Sequence, residues 1–301
     1  MNPRHLLNIT DHGPDGLRSM IAKGLLSIGS VGRPLEGKGA ALLFEKPSNR
    51  TRHSMEMAVH QLGGHPVYTR GEEVGLDERE SVEDVTRILA GYHGVIAARV
   101  FSHDTVSRMA ACSLVPVVNM LSDLSHPLQA LADVITMQEV AGDLSLRTVA
   151  WVGDYNNVAR SLCEAVCMLG GTMSLGCPPA FDADDGELAR LQALGGAVRQ
   201  STDPEMAVEG AHFVHTDTWV SMGQESEAEE RRAIFARYKV TGDLMASADS
   251  QARFMHCMPA HRGEEVSADV FDSDRSLVIR QGHHRLSGAR GALAFVVEAH
   301  Q

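Results

Sequence analysis

The sequence predicts an α/β protein of two doubly wound domains with central parallel sheets, linked by interdomain helices. Three observations carry this. Apolar strand-like runs alternate with helical patterns almost from end to end, the series restarts after a Gly142-Asp143 turn, and polar clusters follow the strands. With 301 residues, 44% of them hydrophobic and 22% charged, the chain is long enough to bury two cores.

The first strand is Ala40-Ala41-Leu42-Leu43-Phe44, a short apolar run that ends before Pro47. A helix from Thr51 through Leu62 follows, because Met55, Ala58, Val59 and Leu62 recur at helical spacing before Gly63-Gly64. Pro66-Val67-Tyr68 reads as a strand, Ser81 to Gly91 as a helix, Gly94 to Ala98 and Val115 to Val118 as strands. Ser125-His126-Pro127 then opens a helix to about Val140, with Pro127 suited to its first turn. Past the Gly142-Asp143 hinge come strand Arg147 to Val152, helix Asn156 to Leu169, strand Thr172 to Cys177, helix Gly186 to Leu194 and strand Ala211 to His215. The expected domains are 1–140 and 141–301, with an apolar C-terminal helix, about 286–300 and clearest from Ala289 to Val297, packing back on the first.

A formal net charge of −12 and a sequence pI near 5.6 argue against extended binding to nucleic acid or anionic membranes, which need basic surfaces. Any anion must be caught by a local cluster. No apolar stretch approaches bilayer length, and Met1-Asn2-Pro3-Arg4-His5 lacks a signal-peptide core, so the expected location is cytoplasmic. Five cysteines without a CxxC pair are expected to be reduced thiols. The fifteen histidines show no metal-binding spacing, and a metal is not expected.

Ligands of open α/β sheets bind at the carboxyl ends of strands, so the residues there hold the candidate chemistry. Ser48, Asn49, Arg50 and Thr51 stand at the start of the first helix, where free N–H groups and the helix dipole favour an anion and Arg50 adds a bidentate fork. Arg52, two residues on, points elsewhere and is assigned a structural partner. An ordinary capped surface helix would also fit this segment taken alone. Arg99 follows the third strand and would serve the same crevice. His126 and Gln129, three apart across Pro127, can serve one ligand, the imidazole donating to a carbonyl oxygen and the carboxamide offering a donor and an acceptor.

Gly153-Asp154-Tyr155-Asn156-Asn157 has one glycine where a dinucleotide fingerprint wants three, which argues against a nicotinamide cofactor. Its two carboxamides suit a zwitterionic amino acid, although Asn156 is also placed to cap the next helix. The segment His215 to Gly223 contains Asp217 and no Lys or Arg, so it should prefer a cationic group and reject a second carboxylate. Cys257 lies beside His256 and before Met258-Pro259, but adjacent residues rarely set up nucleophile and base, so its carbonyl and sulfur are expected to act as contacts. Glu225 to Glu230 with Arg231-Arg232 reads as a solvated helix face.

Together, and in this order, these segments resemble the ornithine carbamoyltransferases of the aspartate/ornithine carbamoyltransferase superfamily, from about Leu6 to Val297. The resemblance implies a carbamoyl phosphate-binding first domain and an ornithine-binding second domain. Ser48, Asn49, Arg50 and Thr51 would hold the phosphate, Arg99 would reach phosphate and carbonyl, and His126 and Gln129 would hold the carbamoyl group. Asn157, Asp217, Ser221 and Met222 would hold ornithine. Cys257 and Met258 would line the reacting centre, and Arg285 in His283-His284-Arg285-Leu286 would return to carbamoyl phosphate. It also implies a homotrimer with sites at subunit interfaces. Two positions depart from the family: Asn49 replaces its usual threonine, and Gly75 falls where a glutamine contributes to carbamoyl phosphate.

The expected reaction is attack by ornithine's neutral δ-amine on the carbonyl carbon of carbamoyl phosphate, giving citrulline and phosphate. Phosphate is already a good leaving group, so no cofactor is expected. Aspartate carbamoyltransferase is the nearest rival, and it would need cations for two substrate carboxylates. Putrescine, an acylated ornithine and a catalytically silent relative are the remaining alternatives.

Overall fold

A computed structural model of the chain describes residues 3–220 and 225–298. The first unit carries strands β1 Gly39–Phe44, β2 His65–Arg70, β3 His93–Arg99 and β4 Val117–Leu121 in one sheet, in the order β2-β1-β3-β4, and each pairing is parallel. Around it lie helices α1 Gly13–Leu25, α2 Asn49–Gln61, α3 Gly71–Val74, α4 Val82–Tyr92, α5 His103–Cys112 and α6 Pro127–Ala141. Pro66 is tolerated because β2 is an edge strand. Ala41, Leu43, Ile96, Ala98 and Val117 from the sheet pack on Val82, Val106 and Met109, which gives this face its core.

The second unit repeats the plan with β5 Thr148–Val152, β6 Thr172–Gly176, β7 Ala197–Ser201, β8 Phe213–Thr216 and β9 Arg253–His256, ordered β7-β6-β5-β8-β9 and again parallel throughout. Its helices are α7 Asn157–Met168, α8 Asp185–Gln192, α9 Pro204–Val208, α10 Ala228–Phe235, α11 Gly242–Ser247 and α12 Ala268–Phe271. Ala150, Val152, Val214 and Phe254 meet Trp219, Phe235, Tyr238 and Val266 in its core.

The last helix, α13, runs Val278–Glu298. By internal packing the chain divides into Met1–Ile135 with His283–Gln301, and Thr136–Gly282, so the division falls within α6 and again within α13. The sequence predicted only the apolar end of α13. Gly282, Gly288 and Gly291 interrupt the apolar spacing of its earlier turns, and the glycines have a packing reason. A Cβ on Gly291 would sit 2.1 Å from the Met20 carbonyl oxygen, so α13 and α1 touch backbone to backbone. Consequently His283, His284 and Arg285 are helical.

Glu227, Glu229, Glu230 and Arg232 are exposed, as expected of a solvated face, and Arg231 is the correction to it. It is buried, ion-paired to Asp154, with its guanidinium 5.0 Å from the Phe181 ring centroid and 5.1 Å from that of Phe235. Charge composition hid this, because an arginine can bury its flat face against aromatic rings when a carboxylate completes its hydrogen bonds.

Candidate active site

Both sheets reverse strand order beside their first strand, between β1 and β3 and between β5 and β8. Crevices open at such switch points, and the candidate residues cluster at both.

In the first unit Ser48 is the N-cap of α2. Its extended backbone stops the helix, and its Oγ accepts the Thr51 N–H at 3.4 Å and donates to Thr51 Oγ1 at 3.0 Å. Asn49 and Arg50 form the first helical positions, exposed and half-buried, with no acidic residue in that first turn to compete for an anion. Arg52 is bound to Glu56 at 2.8 Å and lies 3.8 Å over the Tyr68 ring, the structural role expected for it. Arg99 ends β3 opposite Phe44, and its carbonyl accepts the Glu45 N–H at 2.9 Å, so the β1 and β3 ends are tied together.

The turn after β4 is held by Asn119, whose Nδ2 donates to Leu7 O at 3.0 Å and Ser122 Oγ at 3.1 Å. That turn delivers His126 to the start of α6, where every residue from Ser125 to Met137 is buried. Arg285 enters from α13. Its Nη2 donates to Thr51 Oγ1 at 2.8 Å, its Nη1 donates to Gln129 Oε1, and the same Nη1 lies 3.3 Å from His126 Nε2. Arg285, 6% exposed, therefore joins Thr51 of α2, Gln129 of α6 and His126 just before α6.

Burial, then the charges of Arg285 and Arg99, push His126 well below the usual imidazole value. The ring is neutral at pH 7. Its Nε2 accepts from Arg285, which leaves the ring proton on Nδ1 as a donor.

The second unit gathers a different set. Gly153, at φ +135°, turns the chain after β5, and Asn156 caps α7 by accepting the Val158 and Ala159 N–H groups. Its free carboxamide end donates to Asp217 Oδ2 at 3.0 Å. Asp217 Oδ1 accepts the Thr218 N–H at 2.8 Å and the Cys257 thiol at 2.8 Å. Asn157 is half-buried at the first helical position. Burial pushes Asp154 above the usual carboxylate range against the pull of Arg231, and Asp217 adds to that rise. Ser221 and Met222 lie outside the described residues.

His256 serves structure rather than Cys257. Its Nδ1 accepts the Met258 N–H at 2.8 Å and its Nε2 reaches Glu265 at 3.1 Å, so both ring nitrogens are engaged. Met258 itself is half-buried, beside the cis peptide to Pro259. Asp217, His256 and Cys257, and separately His261, Glu264 and Glu265, each place metal-ligating atoms within 4.8 Å. A metal at the first group would have to break the His256 contacts.

Gly75, where the family's glutamine falls, is the C-cap of α3 at φ +60°, a left-handed position that favours glycine. Arg79, a few residues on, donates from Nη1 to the Glu73 carbonyl at 3.1 Å. Two polar contributors escaped the sequence reading: Asp133, buried behind Gln129 on α6, and Arg231 beneath Asp154. A glutamine and an aspartate four residues apart on a buried helix was the available signal for the first.

Two doubly wound units, the first gathering arginines and hydroxyls at a helix start and the second an acid with carboxamides, have the make-up of an α/β enzyme. The sequence matches the family model described as aspartate/ornithine carbamoyltransferase, carbamoyl-P binding domain, over residues 4–139, and that of the Asp/Orn binding domain over 146–296. Among curated relatives, the ornithine carbamoyltransferase of Thermus thermophilus is 43% identical, across 97% of this chain and 96% of its own length. That of Pyrococcus abyssi is 42% identical, across 98% and 96%. The solved ornithine carbamoyltransferase from Pyrococcus furiosus superposes with a TM-score of 0.93 at 41% identity, covering 98% of this chain and 97% of that one. The chain belongs to the aspartate/ornithine carbamoyltransferase family.

Proposed function

We propose that this protein is an ornithine carbamoyltransferase, transferring the carbamoyl group of carbamoyl phosphate to the δ-amine of L-ornithine to give L-citrulline and phosphate. The observation that carries the reading is Arg285, which bonds Thr51 of the anion loop and Gln129 of the His126 and Gln129 pair at once. A ligand with a phosphate at one end and an amide-like group at the other matches that span.

In this reading Ser48, Asn49, Arg50 and Thr51 hold the phosphate, with Arg99 and Arg285 completing its charge. Arg99, Thr51 and the Nδ1–H of neutral His126 stabilise the oxyanion of the tetrahedral intermediate, each such donor contributing roughly 2.7–4 kcal/mol where water is excluded. Asn157, Asp217, Ser221 and Met222 hold ornithine, and Cys257 and Met258 line the reacting centre. The Cys257 thiol already donates to Asp217. It thereby marks where a substrate ammonium would donate to the same carboxylate.

The ornithine amine must lose its proton before it attacks. With a lysine-like pKa of about 10.4, only some 4 in 10,000 molecules are neutral at pH 7, equivalent to roughly 4.6 kcal/mol. Attack by the neutral amine leaves a second proton on the nitrogen, and the departing phosphate is the acceptor this reading assigns to that one.

The family includes aspartate as an amine substrate, and Asp217 argues against it, because a second substrate carboxylate would be placed beside an acid. The reading further takes the protein to be a cytoplasmic homotrimer with sites at subunit interfaces, serving arginine biosynthesis, as one curated relative is named anabolic. Among the described residues no helix is long and apolar enough to cross a membrane.

A substrate panel tests the proposal. Carbamoyl phosphate with L-ornithine should yield citrulline, whereas L-aspartate, putrescine and N-acetylornithine should yield little carbamoylated product. Preferred turnover of any of those three would replace the assignment.

A further inference from the structure

Helix α6 carries a carboxylate where composition leaves no room for one. Asp133 is fully buried, within the run Leu131-Ala132-Asp133-Val134-Ile135. A buried carboxylate costs several kcal/mol unless its oxygens receive hydrogen bonds. One donor is Gln129, one turn earlier, whose Nε2 donates to Asp133 Oδ1 at 2.7 Å.

This bond removes an ambiguity that a glutamine otherwise has. A carboxamide presents a donor end and an acceptor end of nearly the same shape, and a half-turn about its last bond exchanges them. A carboxylate oxygen receiving from Nε2 fixes the amino end toward Asp133. The carbonyl end then points the other way, and it is Gln129 Oε1 that Arg285 reaches.

We propose that Asp133 is a positioning residue that sets ligand specificity: it holds Gln129 with its carbonyl oxygen presented to the ligand, so that the site demands a hydrogen-bond donor there. The carbamoyl NH2 supplies one, and the methyl of an acyl phosphate such as acetyl phosphate does not. A site built to bond an N–H disfavours the analogue lacking it strongly, because the lone pair of Gln129 Oε1 that Arg285 does not fill is then left unpaired. The inference rests on carbamoyl phosphate being the ligand of this unit.

Binding of three anions to the full-length protein tests it: carbamoyl phosphate, acetyl phosphate and inorganic phosphate, each titrated into wild type and Asp133→Asn. An asparagine can turn either end toward Gln129, so the carboxamide loses its fixed direction. The expected result is at least a tenfold loss of the preference for carbamoyl over acetyl phosphate. Inorganic phosphate affinity should stay within about twofold, and Asp133→Asn should add no further loss in a Gln129→Ala background. Retained preference, or an equal loss for all three anions, would overturn the proposal. If the wild-type protein itself fails to prefer carbamoyl phosphate over inorganic phosphate, the functional reading falls, and this inference with it. Should Asp133→Asn not fold, side-chain amide NMR of the wild type decides. Gln129 NH2 resonances that shift little on adding carbamoyl phosphate support the assignment, and large shifts with altered proton exchange refute it.

Discussion

Arg285 Nη2 donates to Thr51 Oγ1 at 2.8 Å across 234 residues of sequence, binding the C-terminal helix to the loop at the start of α2. The contact explains why α13 must return to the first unit. It also means that the anion cradle forms only once both ends of the chain are folded, with Gly291 against Met20 and Arg290 donating to the Gly24 carbonyl at 2.6 Å fixing the approach.

Removing this guanidinium should therefore cost more than removing a surface charge. Arg285→Ala is expected to lower kcat/KM for carbamoyl phosphate by at least about 100-fold, some 2.7 kcal/mol, since it takes away a preorganised donor. Arg50→Ala should cost at least about 2 kcal/mol in the same quantity while leaving the melting temperature nearly unchanged, because Arg50 is half-buried at a helix start. Steady-state kinetics and a thermal melt on each variant check both statements.

His126 links this cradle to pH. Its folded-state value is depressed by burial and by Arg285 and Arg99, so the unfolded chain takes up a proton near pH 6.5 that the native chain refuses. Below about pH 6.5 the unfolded state binds more protons, and the slope of unfolding free energy against pH is positive. Stability should fall by up to about 1.4 kcal/mol per pH unit on acidification from this residue alone. Denaturant melts of wild type and His126→Asn between pH 7 and 5 should show a shallower decline in the variant.

The division between what sequence disclosed and what it concealed follows range. Ser48 to Thr51 are contiguous at a strand–helix junction, and Gly153 to Asn157 follow a clean strand, so local patterning placed both. Arg285 has no local signal, as a histidine-flanked arginine on a glycine-interrupted helix reads as surface, and only likeness to a family pointed to it. Asp133 and Arg231 were hidden differently. Each is a charge whose burial depends on a partner, Gln129 one turn away or Asp154 far along the chain; the four-residue spacing hints at the first, and nothing local records the second.

Arg231 supplies a stability prediction. Because it neutralises Asp154 among the Phe181 and Phe235 rings, Arg231→Ala should destabilise the protein by roughly 2–4 kcal/mol, by leaving a half-buried carboxylate unpaired and by removing the guanidinium from the rings. The paired change Asp154→Asn with Arg231→Met should recover part of that loss. Chemical denaturation of the three proteins measures it.

Asp217 and Cys257 separate substrate binding from covalent chemistry. Asp217→Asn should lower kcat/KM for ornithine by roughly 1.5–3 kcal/mol, the worth of a hydrogen bond to a charged group, with carbamoyl phosphate binding unaffected. Cys257→Ser keeps a donor to Asp217 and should retain activity within about tenfold. Loss by roughly 10⁴-fold or more would make Cys257 a nucleophile instead.

The central claim, a phosphate-bearing carbamoyl donor in the first unit and ornithine in the second, is tested most directly by phosphate release. Carbamoyl phosphate mixed with L-ornithine should release phosphate and citrulline one for one, at a rate that climbs from pH 6 to 9 as the δ-amine deprotonates. Release that is no faster than carbamoyl phosphate decay without ornithine, or a flat pH profile with chemistry rate-limiting, would contradict the account.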